Sequence, residues 1–402
     1  MCPVESTGSY RSLNETSRAP LYPFIGIQVG TMTAVELGIQ HLVKGGKIDL
    51  DIDKISYAEV YIDNVNVQLT DDILWSEGTI AHLTTGYANR PDRINRHGSF
   101  ALSSPRFEFG GQQQRIILSG LGDGAPLAIQ AKRRVFEGMT YDQIVIEIAK
   151  EYGYETNDIT IPLRETIPSV TQAGMTDYAF LKELALRSGT DFFVRGNNLY
   201  FMIPSIKPTN QPHIVDAAGD GARSITFSID GMGNSAEIIS SPINPMTGLF
   251  ETVTSQFVPD NILHVKSNDQ IDIEELVRYK TIYVDGRGNL LSQGALQTML
   301  DAEANRRKQV VRVRAVVDGM EQLAPRQFVM FLNVGSRFCG PYYVTHVVHE
   351  VRKQGSDYVT IFEGERTTTG KYRRTIPSSG SDSVGGTPTP YMNVSGSSEA
   401  EV

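Results

Sequence analysis

Cysteine is scarce in this sequence: Cys2 and Cys339 are the only two in 402 residues. Small secreted domains that depend on disulfides carry several cysteines at short spacings, and no such framework is present. A single bridge is the alternative, but two free thiols are the preferred interpretation. The N-terminal segment also lacks the apolar stretch of a secretory signal. These features predict synthesis and assembly in a reducing cytoplasm.

Long hydrophobic runs and an excess of positive charge are absent as well. No stretch approaches the roughly 18–20 apolar residues of a membrane helix, so no membrane association is expected. Lys and Arg number 37 against 46 Asp and Glu, which gives a formal net charge of −9. Such a chain has no general attraction for phosphates, although DNA can pass along it without specific binding. The hydrophobic fraction of 40% and the length predict several folded domains.

Catalytic and cofactor motifs are missing too. The glycine-rich segment 120–124 matches no phosphate-binding pattern and predicts a turn after a strand. His346 and His349 are three residues apart in a predicted strand, so their side chains point to opposite faces, whereas zinc proteases need two histidines four apart on a helix. The acidic groups are interpreted as solvated surface: Asp49, Asp51 and Asp53; Asp71 and Asp72; Glu274 and Glu275. The sequence therefore predicts no enzyme, no cofactor and no metal.

Residues 21–137 have the pattern of short strands separated by turns. Apolar residues alternate along 55–62, and the alternation continues through Val65 and Val67, which predicts one sheet face. Further strands are expected at 24–29, 78–86, 99–102 and 115–118. Several short strands at near-regular spacing predict a β-barrel or a sandwich.

Residues 138–204 are instead typical of a small α/β domain. Thr140 and Gln143 form a capping box before a helix with an apolar stripe. A second helix at 176–189 and a β-hairpin with its turn at 196–198 follow.

Two further folded parts complete the sequence interpretation. Residues 205–310 are a linker and a mixed α/β region, with strands expected at 224–229 and 236–240 and helices at 272–279 and 292–307. Residues 311–366 are strands that complete a second β-rich domain. The first of them places four apolar residues on one face: Val311, Val313, Ala315 and Val317.

Both ends of the chain are polar. Residues 1–20 form a flexible N-terminal arm, and 367–402 form a Ser/Gly/Pro-rich tail that is disordered alone or ordered only against a partner. The candidate interface residues lie in this tail: Lys371, Tyr372, Arg373, Arg374, Pro388, Pro390 and Tyr391. An earlier basic cluster, Lys132, Arg133 and Arg134, is expected to form ion pairs or an interface.

Three groups of motifs occur in a particular order along residues 21–366. They are FALSSPRF at 100–107 leading into RIILSG at 115–120; RVFEGMTYDQI at 134–144, with DYAFLKELA at 177–185 and the hairpin strands at 192–194 and 199–201; and SRFCGPYYVTHVVH at 336–349. Together they resemble the baseplate hub proteins of contractile phage tails, of the late control protein D type. The N-terminal part of VgrG proteins has the same fold.

This resemblance implies a β-rich α+β fold with two tube-forming β-barrel domains and inserted α/β domains. It further implies a homotrimer whose six barrels form a pseudo-six-fold ring with a central passage. The ring would be a symmetry adaptor between the six-fold tail tube and the three-fold spike. The partners implied are a second and third copy, the tail tube protein, the central spike protein and other baseplate proteins. The location implied is the baseplate of a virion tail, assembled in the host cytoplasm.

One departure from the resemblance concerns the C-terminal end. VgrG proteins continue into an oligonucleotide-binding-like domain and a β-helical needle, for which the polar tail leaves no room, so we expect a separate spike polypeptide. Two other functions remain open. A tail-associated enzyme that degrades cell walls would need carboxylates or a metal triad converging in a cleft. A non-assembling binding module would be a soluble monomer.

Overall fold

The structure is a computed structural model, and it describes residues 21–67, 69–110, 113–203, 212–219, 221–229, 236–240, 253–257, 281–283, 293–307, 309, 311–352 and 357–367. The N-terminal arm at 1–20, the helix predicted at 272–279 and the tail beyond residue 367 lie outside these residues.

The described residues form 22 strands and four α-helices, so the fold is β-rich, as the sequence predicts. The strands, β1 to β22, are Pro23–Val29, Met32–Thr33, Val43–Asp51, Tyr57–Asp63, Ile80–Tyr87, Arg90–Leu102, Arg106–Gly110, Gln113–Gly122, Ala131–Met139, Glu155–Ile159, Ile167–Thr176, Asp191–Arg195, Asn198–Met202, His213–Asp216, Ala222–Ile229, Ala236–Ser240, Val253–Phe257, Thr281–Tyr283, Val311–Asp318, Phe328–Leu332, Gly340–Arg352 and Asp357–Arg366. The helices, α1 to α4, are Pro126–Ile129, Tyr141–Glu151, Asp177–Ser188 and Gln293–Arg307. Two short 3-10 helices are Val65–Val67 and Ile73–Trp75.

One large sheet contains 14 of these strands. Its order is β15-β19-β22-β21-β3-β4-β8-β6-β5-β1-β2, with β7, β14 and β20 attached at its sides. We call β1 to β8 the first β region, and β14, β15 and β19 to β22 the second β region. The two regions meet where β21 pairs antiparallel with β3. This pairing makes neighbours of residues that lie about 300 positions apart in the sequence.

The long strand β21 belongs to both regions. Its N-terminal part pairs with β20 and contributes Tyr342 and Val344 to the hydrophobic core of the second region. Its C-terminal part pairs with β3 and contributes Val351 to the core of the first region. The adjacent strand β22 likewise places Phe362 in the second core and Tyr358 in the first. Two continuous, paired strands therefore connect the two cores.

The sequence pattern does not predict β3, because its segment contains two adjacent glycines among charged residues. The structure explains both glycines. A Cβ atom at Gly45 would lie 2.4 Å from the backbone oxygen of Val351, and one at Gly46 would lie 2.6 Å from that of Glu59. Glycine is the residue type that lets neighbouring backbones approach so closely. The same residues that make β3 look like a loop allow it to lie between β4 and β21.

An α/β unit, residues 126–202, has its own hydrophobic core. The predicted capping box of Thr140 and Gln143 is confirmed at the start of α2, and the predicted end of α3 at Gly189 is confirmed as well. Gly189 has the left-handed conformation. The β-hairpin of β12 and β13 is confirmed as well. The core of this unit includes Leu127 and Phe136, and β9 pairs with β11, so packing of the unit begins before residue 138.

Six further strands and one further helix lie where the sequence predicts them. The strands expected near 224–229, 236–240, 311–317, 328–332, 342–351 and 358–363 correspond to β15, β16 and β19 to β22, and the helix expected at 292–307 corresponds to α4. Along β19 the four apolar residues predicted to share a face are buried, while Arg312 and Arg314 are exposed.

The alternation predicted through Val65 and Val67 is wrong. These residues form a 3-10 helix after β4 ends, and both valine side chains are exposed. The cause is the buried Asn64, whose side-chain oxygen accepts the backbone N–H of Leu69 and whose side-chain amide donates to Thr70 Oγ1. These two hydrogen bonds turn the chain away from the sheet, since an asparagine side chain can stand in for a strand partner.

The prediction of two free thiols is also wrong, because Cys339 forms a disulfide. Cys339 lies in the loop between β20 and β21. Whether two cysteines can form a disulfide depends on their distance in the tertiary fold and not on their separation in the sequence. The other cysteine of the sequence, Cys2, lies outside the described residues.

Candidate functional site: the joint between the two β regions

The seam between β3 and β21 is reinforced by a hydrogen bond between side chains of the two strands. His346 Nε2 lies 2.7 Å from Asp49 Oδ1, and Lys47 Nζ lies 3.1 Å from Asp49 Oδ2. The hydrogen bond to His346 lowers the pKa of Asp49, and the same bond raises the pKa of His346. The two pKa values move in opposite directions, and both shifts have the same meaning: each partner stabilises the charged form of the other.

A chain of buried hydrogen bonds lies behind this seam. Thr85 Oγ1 lies 2.6 Å from His97 Nε2 and 2.8 Å from the hydroxyl oxygen of Tyr358. The Tyr358 hydroxyl lies 3.0 Å from His349 Nδ1, and His349 Nε2 lies 2.9 Å from the carbonyl oxygen of Leu323. Thr85 and His97 come from β5 and β6, whereas the other three residues follow residue 311. The chain of hydrogen bonds therefore connects the first region to the second.

The loop 319–323 between β19 and β20 closes over these groups. The backbone N–H of Met320 donates to Thr360 Oγ1 at 2.8 Å, and the N–H of Gly319 donates to the carbonyl of Tyr358 at 2.9 Å. From the first region, the side-chain amide of Asn95 donates to the carbonyl of Glu321 at 2.9 Å. Backbone groups of the loop are thus satisfied by both regions, as buried polar groups must be.

The α/β unit docks on both regions through a second polar joint. The guanidinium of Arg326 lies over the ring of Phe193, 3.7 Å from its centroid, and its Nε lies 3.6 Å from Asp191 Oδ2. The hydroxyl of Tyr343 donates to the same Asp191 oxygen at 2.9 Å. Close by, burial raises the pKa of Glu365 to about 7, against the attraction of Arg312. Cation–π and charged hydrogen bonds in a desolvated site hold such a joint in one orientation.

Contacts of the α/β unit with the first region add to this joint. Lys182 Nζ donates to the carbonyl of Ile52 at 2.9 Å and lies 2.7 Å from Asp53 Oδ1. On the other side, the backbone N–H of Gly196 donates to Asp123 Oδ2 at 2.7 Å. The unit is therefore fixed by its helix α3 and by its hairpin turn.

Inside the α/β unit, the basic cluster identified in the sequence forms ion pairs, as one of its two interpretations expects. Lys132 and Arg134 both contact Asp177, whose side chain is fully buried. Burial alone would raise the pKa of Asp177, but hydrogen bonds from Lys132, Tyr152 and Gln172 outweigh it, so the pKa is lowered. These charges are used to hold β9, α2 and α3 together.

Two other acidic residues noted in the sequence also have structural roles. Asp51 Oδ1 accepts the backbone N–H of Asp53, and Asp72 caps the second 3-10 helix. In the glycine-rich segment the predicted turn begins at Asp123, while Gly120 and Gly122 still belong to β8. Within the described part of the chain, no group of three or more His, Cys, Asp or Glu side chains is placed to hold a metal ion.

Two sets of predicted residues lie outside the described residues. They are Glu274 and Glu275, and the interface candidates Lys371, Tyr372, Arg373, Arg374, Pro388, Pro390 and Tyr391. Among the described helices, none has the length and apolar character needed to cross a bilayer.

Sequence reasoning missed the joint itself. Thr85, His97 and Tyr358 attract no attention in the sequence, because a threonine, a lone histidine and a tyrosine fit no motif. The hydrogen bond between Thr85 and Tyr358 links residues 273 positions apart. The usable signal was the pair of glycines in β3, which indicates a close approach of backbones.

Comparison with known proteins identifies the family of this chain and solved structures with a similar fold. The family model of the Alg8 N-terminal domain matches residues 31–353, which is most of the chain. The chain belongs to this family. The matched residues include all of β3, the loop 319–323 and β21, so both sides of the joint lie within the Alg8 N-terminal domain match. No curated protein matches the sequence.

Solved structures share the architecture at low sequence identity. The 43 kDa tail protein of prophage MuSo2 from Shewanella oneidensis has a TM-score of 0.62 at 12% identity, over 86% of this chain and 98% of that chain. The tail protein from Neisseria meningitidis MC58 has a TM-score of 0.61 at 12% identity, over 86% and 96%. The half-lidded Francisella PdpA–VgrG complex has a TM-score of 0.52 at 10% identity, over 88% and 60%. The resemblance to the fold of tail baseplate and VgrG proteins is therefore confirmed.

Proposed function

We propose that this protein is the structural hub of a contractile-tail baseplate. As a homotrimer with a central passage, it joins the six-fold tail tube to the three-fold spike. The observation that carries the proposal is the presence of two β cores, side by side in one chain, that share β21 and β22. If each core is one tube-like barrel, three copies supply six equivalent positions, which matches six-fold symmetry on one side and three-fold symmetry on the other.

The joint supports this proposal because an adaptor must transmit force without bending between its two barrels. Paired strands, a buried hydrogen-bond chain and the docked α/β unit fix the two cores relative to each other. Flexible domain pairs have few such contacts and are connected by polar linkers. A protein that worked by hinge motion would not need this arrangement.

The partners we propose are two further copies of the chain, the tail tube protein, the central spike protein and other baseplate proteins, all at the baseplate of a virion tail. We propose a role through interfaces and not through catalysis. The net charge of −9 per chain supports a passage along which DNA slides without specific binding.

We expect the purified protein to have three times the 44.3 kDa mass of one chain. Light scattering or native mass spectrometry at several concentrations measures this directly. The mass is measured again after the protein is mixed with tube and spike proteins, because assembly can depend on partners. A protein that stays monomeric under both conditions would rule out the trimeric hub.

We further propose that the tail at 367–402 is a tether to the spike or to a neighbouring copy. Truncation after Arg366 should leave the trimer intact, because β22 ends at that residue. The truncated protein should bind the spike more weakly in a pull-down or by interferometry, since the two tyrosines and several prolines of the tail can form contacts at low entropic cost. Unchanged affinity and unchanged particle assembly would show that the tail has no such role.

A further inference from the structure

The two histidines of the joint are packed against each other. The ring centroids of His97 and His349 lie 4.4 Å apart, and His349 is fully buried. His97 belongs to the first region and His349 to the shared strand β21. A pair of imidazoles at this distance tolerates charge poorly, because two positive rings would repel each other in a site with little water.

The direction of each hydrogen bond in the chain follows from counting hydrogens. The carbonyl of Leu323 only accepts, so His349 Nε2 carries a hydrogen, and Nδ1 accepts from the Tyr358 hydroxyl. The Tyr358 oxygen must then accept from Thr85, and Thr85 in turn accepts from His97 Nε2–H. Each link has one hydrogen, and both rings are neutral.

Protonation of the histidines disturbs this arrangement of donors and acceptors. A hydrogen on His349 Nδ1 would force the Tyr358 hydroxyl to turn towards Thr85. The hydroxyl hydrogen of Thr85 then needs His97 Nε2 as its acceptor, which requires a neutral His97 ring with its hydrogen on Nδ1. When His97 is protonated as well, both of its ring nitrogens are donors, and a donor faces a donor at one link of the buried chain, which costs about as much as a lost hydrogen bond.

The charged and titratable groups around the pair offer little compensation. Tyr358 on β22 packs against the His349 ring as a neutral phenol, Tyr87 on β5 packs against Tyr358, and Thr360 lies beside His349. The loop carries the carboxylate of Glu321, which already has Arg93 of β6 at 3.4 Å. Its own pKa is raised by burial, so it is not a strong counter-ion for an imidazolium.

We propose that the His97–His349 pair is an acid-sensitive latch that holds the loop 319–323 against the first β region. Above neutral pH both rings are neutral and the hydrogen-bond chain is complete. In acid the rings take up protons, the chain is disrupted and the loop that covers the rings separates from β5, β6 and β22. This proposal concerns the joint alone and does not depend on the hub function.

The sign of the effect follows from the pKa values. Burial lowers the pKa of His349 to about 4, and burial together with the neighbouring ring lowers the pKa of His97 well below its usual value. Both folded-state values lie below the unfolded value of about 6.5. The stability of the latch is complete above pH ~6.5 and is lost as the pH falls from there towards ~4. The opening equilibrium should rise by about tenfold per pH unit for each extra proton bound.

Hydrogen–deuterium exchange of the wild-type protein between about pH 7.5 and about pH 5 tests the latch. After correction for intrinsic exchange rates, the amides of Gly319 and Met320, which donate to β22 beside the histidine pair, should open at least tenfold more often at the lower pH. The α/β unit contains no histidine and serves as the internal reference, with little change expected. If the loop opened no more than this reference, the proposal would be wrong.

The double variant His97→Gln, His349→Gln should lose the acid dependence, because glutamine can donate in place of Nε2–H but does not take up a proton. His41→Gln removes an exposed histidine and should leave the profile unchanged. A double variant that keeps the full acid dependence would overturn the proposal. If the double variant does not fold, the comparison of loop and reference in the wild-type protein decides the question by itself.

Discussion

Replacing Asp177 with alanine is expected to lower the free energy of unfolding by about 3–5 kcal/mol. The Asp177 carboxylate is fully buried and accepts hydrogen bonds from Tyr152 at 2.6 Å and Gln172 at 2.9 Å, besides its ion pairs with Lys132 and Arg134. Its removal leaves positive charge and several donors without their main partner in a partly desolvated site. Such uncompensated groups cost more than the ion pair itself contributes.

Equilibrium urea unfolding of the wild-type protein and the variant at one protein concentration measures this loss. The control is Glu151→Ala, because Glu151 contacts the same Lys132 and Arg134 but is more than a third exposed. We expect its loss to cost less than about 1 kcal/mol, as for other surface ion pairs. Equal costs for the two variants would contradict the special role of the buried carboxylate.

The variant Gly45→Val is expected to cost about 3 kcal/mol or more and to disturb the pairing of β3 with β21. A Cβ atom at this position would lie 2.4 Å from the Val351 oxygen, which is backbone and cannot move out of the way as a side chain can. One of the two strands must shift, so the seam between the two β regions is directly affected. Differential scanning calorimetry, together with the oligomer mass, measures the stability and the assembly.

Gly110→Val provides the matched control for this variant. Gly110 also lies in a strand, β7, but a Cβ atom there would meet nothing within 4 Å. Valine favours strand conformation, so this change should be neutral or slightly stabilising. If Gly45→Val were as harmless as Gly110→Val, the close approach of β3 and β21 would not be needed.

Local structure was largely predictable from the residues themselves. The capping box of Thr140 and Gln143, the stop at Gly189 and the burial alternation along β19 depend on neighbours within a few positions. Hydrogen bonds to nearby backbone groups and the period of a strand are visible in any sequence. The wrong prediction at Val65 and Val67 also has a local cause, since the side chain of Asn64 takes the place of a strand partner.

The candidate site was not predictable in this way, although the resemblance to tail hub proteins predicted the overall fold. Its members come from β5, β6, β21, β22 and the loop 319–323, and none carries a motif. The strand β3, which brings them together, was not predicted because it contains two adjacent glycines. The disulfide of Cys339 was missed for a related reason, because sequence separation does not report distance in the fold.

The sequence by itself determined the β-rich composition of the chain, the helices α2 and α3 of the α/β unit, the polar ends and the absence of recognisable catalytic motifs. These follow from periodicity, capping and charge, which act over a few residues or over the composition as a whole. Only the tertiary structure decided that β21 and β22 serve two cores and that His97 meets His349. The physical reason is that long-range strand pairing is selected by the close packing of whole surfaces, where a missing Cβ at Gly45 matters as much as any side chain.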